Sequence, residues 1–84
     1  MHIEDFIKTN QVADDSVSSV FGKTGVLNQF KNKSINNKEN FIILYFKLEQ
    51  YHNKNGSGIY YSVHTMEVNR SGEIKRFLPK SPPW

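Results

Sequence analysis

The stretch FIILYFKLEQYHNKNGSGIYYSVHTMEVN, Phe41 to Asn69, decides the fold. Apolar, aromatic and β-branched residues crowd both halves, and the KNGSG tract between them is built of turn formers, so the spacing predicts a long β-hairpin. In the first arm Ile42, Leu44, Phe46 and Leu48 form an unbroken apolar set at period two. The odd positions begin apolar and then become Lys47 and Glu49. The even positions are therefore expected to face the core and the odd ones the solvent. Loop length sets the register. A two-residue Asn55-Gly56 turn would place Leu44 opposite Glu67 and Ile42 opposite Asn69. A three-residue loop, Asn55-Gly56-Ser57, or the five-residue Lys54–Gly58 version, places Phe46 opposite Met66 and Leu44 opposite Val68. Because a slip of one residue reverses every side chain, the second register is expected.

Working outward, Arg70-Ser71-Gly72 forms a turn into a third strand, roughly Glu73 to Leu78. One register sets Glu67 opposite Arg76 and Met66 opposite Phe77; a slip sets Val68 opposite Ile74 and Glu67 opposite Lys75, and cross-strand pairing favours neither. Pro79 and Pro82-Pro83 end the sheet and leave Trp84 on an extended tail. Before the hairpin, apolar residues recur at helical spacing three times: Ile3, Phe6, Ile7; Val17, Val20, Phe21; and Val26, Leu27, Phe30. Asp14 or Asp15 can cap the second helix, with Gly22 closing it, and Thr24 the third, with Lys31 and Lys33 near its C-terminal end. The Asn-rich tract 32–40 reads as a loop. The expectation is one small domain over 1–84, with a helical part at 1–33, a β-meander at 41–78 and a tail at 79–84. Its class is α+β, with short N-terminal helices packed on one face of a three-stranded antiparallel β-meander. The expected core is Ile7, Val20, Phe21, Leu27, Phe30, Ile42, Leu44, Phe46, Leu48, Met66 and Val68.

At 84 residues the chain is near the lower size limit for a self-sufficient core, so added stability from a partner, or from an edge-strand dimer, is plausible on size alone. The absence of cysteine removes disulfides, thiolate metal sites and thiol nucleophiles together. MHIEDFIKTN lacks an apolar signal core and no apolar run is long enough to span a bilayer, so a cytoplasmic protein without membrane attachment is expected. The formal net charge of +3 is uneven. Residues 1–22 hold Lys8 against four acids, whereas residues 23–84 hold ten Lys or Arg against four Glu, a body of charge +6. Such a body suits an anionic partner, nucleic acid first. A composition heavy in Lys, Asn, Ile, Phe and Tyr fits a phage or bacterial source.

Several strings bear on chemistry. Gly22-Lys23-Thr24 matches the end of a phosphate-binding loop, but Val17 stands where that loop needs glycine and no buried strand precedes it. The same segment resembles Gly-Lys-Thr-Gly-x-Val segments of phage tail-fibre proteins over a short stretch. In topology, three helices before a hairpin resemble a winged helix, which implies Thr24–Lys33 as a reading helix. His52 and His64 suggest acid and base of a ribonuclease, but the expected register separates them by roughly 13 Å along the strands. Three scattered histidines without ligand spacing predict no metal and no cofactor. The odd sheet face interleaves aromatics and cations, a pattern that stacks bases and holds phosphates. The leading expectation is a small basic non-enzymatic nucleic-acid-binding protein using Tyr45, Lys47, Tyr51, Tyr61, Lys75 and Arg76, with Lys31 and Lys33. Two alternatives stand beside it. One is a protein-interaction module such as a phage-type inhibitor of a host factor; the other is a compact ribonuclease or toxin-like domain using His64, His52, Lys47 and Arg76.

Overall fold

The long hairpin forms, with β1 at Phe41–Asn53 and β2 at Gly56–Val68, in a computed structural model that describes residues 1–78. Two helices, α1 (Ile3–Ile7) and α2 (Lys23–Asn36), precede it, and a short β3 (Ile74–Phe77) follows. The sheet is antiparallel with order β1-β2-β3, giving the expected α+β arrangement. The tail expected at 79–84 lies outside the described residues.

The register differs from the expectation, and the difference turns β1 over. Asn53 pairs with Gly56 across a Lys54-Asn55 turn, so Phe46 lies opposite Val63 rather than Met66, and Ile43 takes the place opposite Met66. The Asn53 side chain selects this tighter turn by accepting the Asn55 N–H at 2.9 Å. An odd shift exchanges the faces of β1 relative to β2. Phe41, Ile43 and Tyr45 therefore join Met66 and Val68 in the core, with Ile43 at 0% exposure, while Ile42 is 36% exposed. The run FIILYF is apolar at both parities, so its burial pattern is settled by which face the helices reach.

That face is the one α1 covers. Ile3, Phe6 and Ile7 are buried there, and the Phe6 ring meets Tyr45 edge-on at 5.4 Å and Phe77 at 5.0 Å. Val26 of α2, Val12 and Ile74 complete the cluster, and Leu27 and Phe30 pack against it. Each fully buried aliphatic side chain contributes about 1.5–3 kcal/mol. Of the expected core, Ile7, Met66 and Val68 are buried, while Phe21, Leu44, Phe46 and Leu48 are half-buried and Val20 is exposed.

The helix expected at Val17–Phe21 is absent; residues 15–17 and 19–21 make turns. The Ser18 hydroxyl accepts the N–H groups of Val20 and Phe21 at 3.3 Å each, giving the backbone a local alternative to a helix. Asp15 instead serves α2 from outside. It accepts the Thr24 N–H at 2.7 Å and the Thr24 hydroxyl, where the helix N-cap, Gly22, has no side chain to offer. Helix α2 also runs beyond Lys33 to Asn36, where the Asn37 amide closes it on the Lys33 carbonyl at 2.8 Å.

Between β2 and β3 both alternatives occur, joined by a bulge. Val68 pairs with Ile74, Glu67 with Arg76 and Met66 with Phe77, leaving Lys75 as the extra residue. The preceding turn needs Gly72, whose φ is +91° and whose α-carbon lies under the His2 ring, so that a side chain there would meet the imidazole.

Candidate interaction site on the projecting hairpin

The two edges of the hairpin are treated differently. In β1 the even residues point their backbone groups outward, and from the Ile42 carbonyl to the Leu48 N–H these groups are taken up. Lys33 Nζ donates to the Ile42 carbonyl at 2.5 Å. The Gln29 amide donates to the Leu44 carbonyl at 2.8 Å and accepts the Leu44 N–H at 3.1 Å. Phe46 donates to the Phe21 carbonyl at 3.0 Å and accepts from Ala13 at 2.9 Å, and Leu48 donates to the Gln11 carbonyl at 3.3 Å. Such coverage protects an edge strand from pairing with other chains.

On β2 the outward residues are the odd ones, as the Leu78 N–H on the Thr65 carbonyl at 3.0 Å marks. Strand β3 covers only Met66 to Val68, and Leu78 adds Thr65. Among the described residues, nothing pairs with the outward backbone groups of Ile59, Tyr61 and Val63. The side chains of these residues share one sheet face, with Ile59 at 61%, Tyr61 at 42% and Val63 at 41% exposure. Their cross-strand neighbours Gln50, Leu48 and Phe46 continue that face onto β1. From Asn55 to Met66 there is no Asp, Glu, Lys or Arg. The base of this strip is a cleft of about 200 Å³ lined by Leu48, Tyr61, Val12, Ala13 and the Asp14–Lys23 ion pair at 3.4 Å. Toward the tip, the Tyr51 ring lies over Gly58, where a β-carbon would collide with it, so glycine lets the aromatic ring cover the strand.

The opposite face carries a polar cluster at the end of the core. Ser62 donates its hydroxyl to Glu49 Oε2 at 2.5 Å and lies 2.8 Å from His64 Nε2, with His64 Nε2 and Glu49 Oε1 3.7 Å apart. A serine hydroxyl has one proton, so with Glu49 taking it His64 Nε2 is the donor to Ser62. In that arrangement Glu49, not His64, takes the Ser62 proton, and Ser62 is buried. Burial, and secondarily the Glu49 charge, push the Tyr45 phenol above its ordinary value. The cluster satisfies polar groups where the core meets solvent.

The residues expected to bind nucleic acid do not share one surface. Tyr45 is buried at 3% exposure beneath Phe6. Tyr51 and Tyr61 are exposed but lie on opposite sheet faces, as the register requires. Lys33 is engaged with Ile42, Lys75 pairs with Glu73 at 4.0 Å and Arg76 with Glu67 at 3.2 Å. Lys31 is exposed on α2, and Lys47 is half-buried beside Ser62. His52 and His64 also fall on opposite faces, so the pair expected for a ribonuclease is not brought together. His2 is held at the far end, where Nδ1 accepts the Glu4 N–H at 3.1 Å and Nε2 lies 3.0 Å from the Ser71 carbonyl. Among the described residues, no group of three or more His, Asp or Glu gathers as a metal site, and no helix is long and apolar enough to cross a membrane. Ile59 and Val63 were not among the expected site residues; their signal was the charge-free run from Asn55 to Met66. Comparison of the chain with protein-family models, curated proteins and solved structures finds no match.

Proposed function

We propose that this chain is a protein-binding module acting through the distal half of its hairpin, rather than an enzyme. The observation that carries this reading is the strip Ile59, Tyr61 and Val63, exposed and uncharged on a strand whose outer edge is open among the described residues. A strand of this kind left bare is an aggregation hazard, which natural domains blunt with charge or cover, as this chain does along β1. An uncovered, charge-free strand beside a covered one supports an interface. The scatter of Tyr45, Tyr51, Tyr61 and the cations gives the nucleic-acid reading less support.

The test is affinity capture with the intact chain as bait and a differently tagged copy of the chain among the prey. A partner retained by the wild type and by Lys31→Ala, but lost with a folded Ile59→Lys/Val63→Lys variant, is the expected result. Equal capture by that variant overturns the reading. Oligonucleotide binding at two salt concentrations, lost on Lys31→Ala, would favour nucleic acid instead.

A further inference from the structure

We propose that Asn55, at the tip of the hairpin, is a site of spontaneous covalent modification, losing its side-chain amide by ring closure onto Gly56. The proposal stands apart from the protein-binding reading and does not depend on it.

The reaction uses only the chain and water. The Gly56 backbone nitrogen gives its proton to hydroxide and attacks Asn55 Cγ. The new C–N bond closes a cyclic imide, the Cγ–Nδ2 bond breaks, and the side-chain nitrogen takes a proton from water and leaves as ammonia. Water then adds to either ring carbonyl and reopens the ring. One opening leaves aspartate at position 55; the other leaves its β-linked isomer, in which the main chain runs through the former side chain.

The structure singles out this asparagine among the nine in the chain. A side chain on the following residue crowds the attacking nitrogen, and only Asn55 precedes a glycine. A β-carbon placed on Gly56 would meet nothing within 4 Å, so base and water reach the nitrogen unhindered. Asn55 is exposed, and among the described residues its side-chain amide has no hydrogen-bond partner. The other asparagines are held or shielded. Asn28, Asn32 and Asn36 lie in α2, where the next N–H is tied into the helix. Asn37 and Asn40 donate their amides to the Lys33 carbonyl and to Glu67, while Asn53 and Asn69 accept turn N–H groups. Asn10 precedes Gln11, whose N–H donates to Thr9 Oγ1 at 3.2 Å.

One bond opposes the attack. Gly56 pairs with Asn53, so its N–H closes the last rung of the ladder on the Asn53 carbonyl. That rung lies at an exposed tip with no pairing beyond it, where local opening costs least. Either product puts the first charge into the run from Asn55 to Met66. The β-linked isomer also lengthens the Lys54-Asn55 turn and displaces the Asn53–Gly56 pair.

Peptide mapping by mass spectrometry tests this, on the folded full chain held at neutral and at mildly alkaline pH. Amide loss is expected first at Asn55, faster at the higher pH, with the β-linked isomer among the products. Asn55→Gln, its fold checked by circular dichroism, is expected to show no amide loss over the same period. An Asn55 amide that outlasts or merely matches those of Asn28 and Asn32 overturns the proposal. A product of α-linked aspartate alone also overturns it, since direct hydrolysis gives that without a ring.

Discussion

Gln29 holds the edge of β1 at Leu44 through both ends of its amide, accepting the Leu44 N–H at 3.1 Å and donating to the Leu44 carbonyl at 2.8 Å. One side chain thereby stands in for a neighbouring strand and ties α2 to the sheet. Gln29→Ala leaves both backbone groups without this partner and is expected to cost about 1–3 kcal/mol in urea unfolding. Gln29→Glu keeps the acceptor but sets a carboxylate against the Leu44 carbonyl, so its deficit should be larger at neutral pH than in acid. Equal stability of wild type and Gln29→Ala would mean that the pairing is not formed in solution.

Ile42 and Ile43 read out the register directly. Ile43→Ala empties a fully buried site and is expected to cost about 2–5 kcal/mol. Ile42→Ala, on the outer face, should cost much less. The order would reverse in the register with Leu44 opposite Val68, so one pair of denaturation curves separates them.

Asp15 should make stability depend on pH in acid. Its hydrogen bonds from the Thr24 hydroxyl and N–H, with Lys23 nearby, hold its carboxyl below the ordinary aspartate range. The lowered folded pKa means its contribution is present above the unfolded value, about 3.9, and is lost as pH falls through the folded one. Glu67, held down by Asn40 and then Arg76, adds to the same loss. Asp15→Ala is expected to lower Tm at neutral pH, with the gap to wild type closing in strong acid.

Tyr45 sets an alkaline limit of the opposite sign. Its folded pKa is raised, first by burial and then by Glu49. The contribution is therefore intact below the unfolded value, about 10, and falls away as pH rises through the folded one. Tyr45→Phe should flatten stability between neutral pH and strong alkali, and its near-ultraviolet titration should lack the late-ionising phenol.

Gly72→Ala is expected to destabilise by about 1–3 kcal/mol, because a φ of +91° disfavours any side chain and the β-carbon meets the His2 ring. Loss of the His2 contact with Ser71, visible as a shifted imidazole resonance, should accompany it.

Much of the architecture was legible locally. The change from helical spacing at Ile3, Phe6 and Ile7 to the β-rich arms after Phe41 placed the class, the hairpin and the turn at Gly72, because these depend on neighbours within a few residues. The helix expected at Val17–Phe21 failed where a single hydroxyl, that of Ser18, offered the backbone other bonds. Of the candidate site, Tyr61 was expected as a binding residue, whereas Ile59 and Val63 were legible only as part of a run without charge. Its exposure depends on how far the helices and β3 reach along the hairpin, and that is a matter of three-dimensional length.

By itself the sequence determined the α+β class, the long hairpin and the helices around Ile3–Ile7 and Val26–Phe30, that Met66 and Val68 face inward, and that no thiol chemistry is available. The tertiary structure decided which face of β1 is buried. FIILYF satisfies either choice, and only the packing of Phe6 on Tyr45 and the Lys54-Asn55 turn break the tie. It also decided that the β1 edge is closed by Gln29 and its neighbours, whereas no described residue pairs with the β2 edge at Ile59. Those bonds join residues far apart in the chain, whose meeting no local pattern encodes.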